Sequence, residues 1–282
     1  MIKELPLVSI ITATLDAEEA LRHSLRSVAA QTDASLEWIV IDGGSKDGTV
    51  ELLRQNEGLV ARWLSEPDTG IYDAWNKACA LVRGDWLLFL GAGDELAAPD
   101  CLANASVYLR QAHPAHDLVY GRLCYVSPDG RRKLEEVGVP WSEMQRQWES
   151  GRPALPPHTA IFHHRSLFSA GKRFDSRYRI AGDVHFLLRH AMRKPLLFVP
   201  VTTVLAATHG ISMNLRRATE LAGEIRRMNR ELGIVPPFGH RIADGILLGA
   251  KVVAGRLPAP IGHRVADLYR RLGGRPGRWS AR

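Results

Sequence analysis

Three aspartates each follow an apolar run: Asp42 after residues 36–41, Asp68 shortly after 61–64, and Asp94 after the unbroken run 86–90. Turns at the carboxyl ends of parallel strands gather along one edge of an open α/β sheet, the edge where such sheets bind ligands. The run at 86–90 shows no polar alternation, which predicts a strand covered on both faces. It passes into Gly91-Ala92-Gly93-Asp94-Glu95. Glycines there permit a sharp turn and the close approach of a ligand, and a carboxylate suits a hard divalent cation that bridges to a phosphate. A nucleotide would give the three turns one purpose, with Asp42 accepting from a base or ribose and Asp94 holding a cation on a diphosphate. The plainer reading is that Asp is common in turns because it caps its own backbone.

The elements that must position these groups alternate. Residues 7–14 predict a first strand. Asp16 and Glu19 have capping-box spacing, with Asp16 as N-cap, for a helix over about 17–31 whose Leu21, Leu25, Val28 and Ala29 recur at helical spacing. A strand at 36–41, a helix from Val50, a short strand at 61–64, a helix opening at Ile71 and a strand at 85–90 follow. A further helix begins at about Pro99, proline suiting a first turn. The alternation implies an α/β fold with a parallel sheet and right-handed crossovers. Residues 117–126 and 132–137 flank Ser127-Pro128-Asp129-Gly130, a hairpin signal that makes the sheet mixed. Residues 141–157 read as a loop or short helix near a substrate, 158–163 as a strand, and 196–207 as one or two short strands. Helices are expected after Asp183 and over about 214–232.

The 282 residues can bury one large core or two modest ones. With 45% apolar and 24% charged residues the chain is an ordinary globular protein. A net charge of +7 points to an anionic partner. Cys79, Cys101 and Cys124 are too widely spaced for a disulfide framework or a zinc site, which fits a reducing cytoplasm, and no stretch approaches the roughly 18 apolar residues of a membrane span. The tail 241–282 carries nine Arg or Lys against Asp244 and Asp267. Mixed with Ile246, Leu247, Leu248, Val252 and Val253, these cations make a basic amphipathic stretch that Pro258 breaks into two helices. It reads either as a surface that lies on an anionic membrane or as a packed appendix with a solvated basic face.

Four ordered stretches resemble the motifs of family 2 glycosyltransferases with the GT-A fold. They are Ile11-Thr12-Ala13-Thr14-Leu15-Asp16, Asp42 through Thr49, Asp68-Thr69-Gly70-Ile71-Tyr72-Asp73-Ala74-Trp75-Asn76-Lys77, and Leu90-Gly91-Ala92-Gly93-Asp94. The likeness is nearest to the bacterial, colanic-acid-like branch that builds polysaccharides and glycolipids. It implies a Rossmann-like, mostly parallel sheet flanked by helices, with a GT-A catalytic domain at 1–213 and a basic helical C-terminal region at 214–282. Within the domain, 1–98 would be the nucleotide-binding half and 99–213 the acceptor half. The resemblance further implies inverting transfer from a UDP-, GDP- or dTDP-sugar, a Mn or Mg ion, and a glycan or lipid-linked acceptor, at the cytoplasmic side of the membrane. Thr14, Asp16, Asp42, Asp68, Asn76, Lys77, Gly93 and Asp94 would line the donor pocket. Asp94 would hold the metal, with His209 as a further contact. The first position of the usual Asp-x-Asp triplet is Ala92, a departure from the family.

Asp183 matches the family's general base, which the chemistry needs because an acceptor hydroxyl is a poor nucleophile until its proton is taken. Its plainer reading is a helix N-cap. His158 would contact the acceptor or the donor sugar, or serve as a hydrogen-bonded structural histidine. The turn at 12–17 has no glycine, so the Rossmann fingerprint is absent and a dinucleotide oxidoreductase is disfavoured. Nucleic-acid binding is discounted because the cations crowd into the tail without stacked aromatics. A non-catalytic sugar-nucleotide or membrane-binding protein of the same fold stays open, because of Ala92.

Overall fold

The structure, a computed structural model, describes residues 5–32, 35–127, 132–149, 153–169, 171, 173–207 and 214–272. Its centre is a sheet of nine strands. β1 (Val8–Thr14), β2 (Leu36–Asp42), β3 (Arg62–Ser65) and β4 (Trp86–Phe89) run parallel, in the order β3-β2-β1-β4. The sheet then turns mixed. β8 (Ile161–His164) pairs antiparallel with β4 and with β6 (Leu118–Val126), and β9 (Leu197–Ala207) runs parallel to β6. The two-residue β5 (Glu95–Leu96) closes the far edge against β9, and β7 (Lys133–Val137) forms the expected hairpin with β6. Residues 128–131 of that hairpin lie outside the described residues.

Successive residues of a strand face opposite sides, and here both sides are packed. Ile10, Val40 and Leu88 face one core with α1 (Glu18–Ala29), α2 (Thr49–Gln55) and α4 (Cys101–Ala112). Ile11, Ile41, Leu87 and Phe89 face the other with α3 (Ile71–Cys79), α6 (Gly182–Ala191) and Met144 of α5 (Trp141–Glu149). The unbroken apolar run at 86–90 follows from this double burial.

Several expectations are corrected. Asp16 does not cap α1: the N-cap is Ala17, which makes no side-chain cap bond. The cap comes from the neighbouring turn, where Asp47 Oδ2 accepts from Glu18 N–H at 3.1 Å and Thr49 Oγ1 from Ala17 N–H at 3.1 Å. A cap supplied across two loops leaves no local spacing to read. Pro99 stands just before α4, whose N-cap is Asp100. His158 belongs to a 3-10 turn, His158–Ala160, rather than a strand; of the one or two short strands expected over 196–207 there is one, and at 11 residues it is long. The C-terminal part contains α7 (Ala218–Glu231), α8 (Phe238–Arg256) and α9 (Ala259–Leu272). α7 sinks Met228 into the second core, while α8 packs on α9, on the 3-10 turn Leu215–Arg217 and on α7. No helix among the described residues is long and apolar enough to cross a membrane.

Candidate active site

The parallel register sets Thr14 beside Asp42 and Asp42 beside Ser65, and Leu90 N–H reaches the Ile11 carbonyl. The turns bearing Asp68, Asp42, Thr14 and Asp94 therefore follow one another along a single sheet edge. Thr14 Oγ1 is buried there without a hydrogen-bond partner. A buried hydroxyl left unpaired is costly, and a ligand at the strand end would relieve it. Asp42 behaves differently. Its enclosed carboxylate accepts from Gly44 N–H (3.1 Å), Ser45 N–H (2.9 Å), Ser45 Oγ and Ser65 Oγ (2.6 Å), so its bonds shape the turn. Asp16 has a left-handed φ of 46°, a conformation Asp adopts more readily than most residues. It is pinned to the same turn, its N–H donating to Ser45 Oγ and its Oδ1 accepting from Lys46 N–H, both at 2.7 Å.

Asp68 accepts from Gly70 N–H at 2.8 Å and lies against Gly43, where an added Cβ would come within 2.8 Å of Asp68 Oδ2. The Asp68 carboxylate is thus stacked on the Asp42 turn, and glycine at 43 leaves the room. Asn76 and Lys77 are tied inward. The Asn76 amide donates to the Phe174 carbonyl (2.9 Å) and accepts from Phe174 N–H (3.0 Å). The Lys77 ammonium, raised above its usual pKa by Glu66 at 2.8 Å, also reaches the Pro67 carbonyl.

The turn carrying Asp94 is fastened to α1. Ser24 Oγ donates to the Asp94 carbonyl (2.8 Å) and accepts from Gly93 N–H (3.1 Å), and Gly93 has φ 94°. The Asp94 carboxylate folds over Gly91, leaving no space for a Cβ there. Glu95 is drawn aside to His23 at 3.3 Å. Against α1 opens a cleft of about 460 Å³ lined by Asp16, Ala17, Glu18, Glu19, Ala20 and Asp47, and a Cβ added at Gly93 would come within 3.3 Å of the Ala20 methyl. That lining holds carboxylates and neither lysine nor arginine, so a diphosphate entering there would need a cation with it. One carboxylate fits a Mg²⁺ or Mn²⁺ whose other positions belong to phosphate oxygens and water. Among the described residues a different cluster, His113, Asp117 and His164, brings three metal-ligating atoms within 4.8 Å of one another. It lies at the opposite end of the sheet, beside the start of β4, and Lys194 already sits 2.9 Å from Asp117.

Asp183 is in the first turn of α6, whose N-cap is Ala181. Tyr72, from the first turn of α3, places its hydroxyl 2.7 Å from the Ile180 carbonyl and 3.0 Å from Asp183 Oδ1. Gly182 packs on the Tyr72 ring so closely that a Cβ would meet it at 2.8 Å. Burial pushes the Asp183 carboxyl above its ordinary pKa of 3.8, the Tyr72 bond pulls it partly back, and the Glu224 charge adds to the rise. Glu224, on α7, accepts from the N–H groups of Arg179 (2.6 Å), Ile180 (3.0 Å) and Ala181 (2.8 Å), the three residues before α6 begins. The sequence offered no sign of Glu224, since 41 residues and another strand separate it from Asp183. Tyr72 falls inside a motif, but its side-chain direction is invisible without the fold.

His158 is buried against Trp75, with ring centroids 4.8 Å apart and planes at 18°, and against Phe89 and His163. Burial lowers its pKa to about 3, so it is neutral at physiological pH, and neither ring nitrogen has a partner. His209 lies outside the described residues.

The family profile described as Glycosyl transferase family 2 matches residues 9–168. An uncharacterized glycosyltransferase of Mycobacterium tuberculosis is 35% identical over 254 residues, covering 88% of this chain and 93% of the relative. A PGL/p-HBAD biosynthesis glycosyltransferase of Mycobacterium bovis is 32% identical over 212 residues, 72% of this chain and 77% of its own. Among solved structures, the mannosyltransferase PcManGT from Pyrobaculum calidifontis, in complex with GDP-Man and Mn²⁺, aligns with a TM-score of 0.61 at 20% identity, over 96% of this chain and 76% of that one. The shared architecture is the GT-A fold.

Proposed function

Because the chain belongs to glycosyl transferase family 2 and is a glycosyltransferase, we propose that it transfers a sugar, with inversion, from a nucleotide-diphospho-sugar to an acceptor hydroxyl. The setting we propose is assembly of a bacterial polysaccharide or glycolipid, of the colanic-acid-like kind, at the inner face of the membrane. The donor occupies the edge formed by the turns of Asp68, Asp42, Thr14 and Asp94, with Thr14 Oγ1 and Asp68 facing the nucleoside and the diphosphate at Asp94. Asp42, Asp16, Asn76 and Lys77 hold that edge in shape. Asp94 would hold a divalent cation, which would supply charge to offset that of the departing diphosphate. Asp183 takes the proton of the acceptor hydroxyl as its oxygen attacks the anomeric carbon from the side opposite the leaving group.

The observation that carries this reading is the Asp183 carboxyl, raised by burial and hydrogen-bonded to Tyr72 next to the donor edge. A base with a raised pKa is better matched to taking a proton near neutral pH. Ala92 favours a second reading, a sugar-nucleotide binder without turnover. Thermal unfolding with UDP-, GDP- and dTDP-sugars, with and without Mn²⁺, tests donor binding. A ligand at 100 times its Kd adds about 2.7 kcal/mol of stability, so one donor should raise the melting temperature by several degrees, and more with metal. Asp94→Ala should erase the metal-dependent part. If no nucleotide sugar shifts the transition, the donor edge is wrongly placed. If Asp94→Ala leaves the metal effect intact, the cation sits elsewhere. Turnover that disappears in Asp183→Asn, with donor binding retained, separates the transferase from the binder.

A further inference from the structure

We propose that α8 and α9 form a docking surface for an anionic lipid bilayer. On α8, Phe238, Ile242, Ile246 and Val253 are spaced by four, four and seven residues, so they share one face, and their exposure runs from 50% to 74%. The surface beside them is open: at Gly245 and Gly249 an added Cβ would meet nothing within 4 Å. The opposite face is the packed one. Ala254 is buried, an added Cβ at Gly255 would strike the Leu215 carbonyl, and one at Gly262 of α9 would strike the Ala254 carbonyl. These close approaches lock α8 onto α9 and onto the 3-10 turn at Leu215 and leave the apolar stripe outward.

Charge identifies the occupant. The exposed residues of α9 include Ile261, Arg264, Leu268 and Arg271, an apolar and cationic stripe at helical spacing. Arg256 continues the α8 stripe, and Arg241 flanks it. The acids of these helices lie elsewhere: Asp267 is buried, and Asp244 falls roughly 160° round α8 from the stripe. Apolar side chains flanked by cations on one helix face are the pattern of an interfacial helix on anionic lipid. A second copy of the chain fits poorly, because a two-fold contact would set the same arginines against each other. Among the described residues neither helix is long and apolar enough to span the bilayer, and the proposed contact is a peripheral one.

The hairpin is also positioned with respect to the chemistry. Arg270 binds Glu135 of β7 at 2.8 Å. β7 pairs with the carboxyl half of β6, which runs in the same direction as β4. α9 is therefore moored toward the sheet end that bears the donor turns, and a lipid-linked acceptor would meet the protein on that side. This consequence for the acceptor rests on the transferase reading; the surface itself does not.

The test is flotation of the full chain with phosphatidylcholine vesicles, with and without phosphatidylglycerol. Association should be at least about tenfold greater with phosphatidylglycerol and weaken with added salt. Ile242→Ser/Ile246→Ser and Arg256→Gln/Arg264→Gln/Arg271→Gln should each reduce it about fivefold or more. The altered side chains are already exposed, so melting temperature and vesicle-free donor hydrolysis should stay as in wild type, which keeps a failure here separate from a failure of the transferase reading. Equal flotation on neutral vesicles, or none on either, would overturn the proposal. So would wild-type binding by the serine variant, or a vesicle-free dimer that the serine variant abolishes.

Discussion

Asp183 owes its character to where the chain puts it rather than to its type. Removed from water beside Tyr72, its carboxyl is raised, and two neighbours move it in opposite senses: Tyr72 donates a bond to the charged form, and Glu224 repels it. Tyr72→Phe should therefore shift the acidic limb of the kcat profile to higher pH, and Glu224→Gln should shift it to lower pH, with steady-state rates across pH as the readout. The same rise has a stability cost. A carboxyl with a raised folded-state pKa favours folding only while protonated, so the ionised group weakens the fold as pH climbs above 3.8 and through the folded value. Asp183→Asn should melt higher than wild type at neutral pH, with the gain shrinking to nothing as pH falls toward 3.8. An unchanged difference across that range would show that Asp183 is not desolvated as described. The type and rough place of this residue were legible in the sequence as Gly182-Asp183 ahead of an apolar helix. Its partners were not, because Tyr72 lies 111 residues away in sequence.

Elements rather than single residues keep the edge in register. β2 and the end of the 80–84 loop are tied through Glu37, which is buried and accepts from Ser9 Oγ (2.6 Å), Arg83 N–H (2.6 Å) and Gly84 N–H (3.2 Å). Burial alone would raise Glu37, but these bonds and the Arg83 guanidinium outweigh it and hold the carboxyl below its ordinary value. Its contribution is present above pH 4.5 and fades as pH falls through the depressed pKa. Glu37→Ala should cost about 2–4 kcal/mol in denaturant unfolding, because buried donors lose their acceptor; a change under about 0.5 kcal/mol would rule out the clamp. Sequence periodicity revealed these strands because hydrophobic runs are local. It misplaced the cap of α1 and the strand at His158 for the converse reason. Asp47 reaches α1 from another turn, and His158 is held by stacking on Trp75 and a tilted contact with Phe89, so neither feature is written in neighbouring residues.

For the molecule as a whole, two cores on the two faces of one sheet explain why apolar runs and motif order sufficed to read the fold class. α7 is the least legible part. As a charged helix it looks like a surface element, yet Met228 enters the second core and Glu224 fixes the segment before Asp183. The C-terminal region thus divides between α7, which fixes the segment before Asp183, and the pair α8 and α9, which exposes Arg256, Arg264 and Arg271. On the proposed reading, Asp183 takes the acceptor's proton while other residues hold the donor. The most direct measurement pairs calorimetric donor affinity with transfer rate for wild type and Asp183→Asn, using the nucleotide sugar found by thermal shift and Mn²⁺. The expected result is a Kd unchanged within about threefold, under about 0.7 kcal/mol, with turnover reduced about 10²–10⁴-fold. Turnover surviving in Asp183→Asn would contradict the assignment of the base.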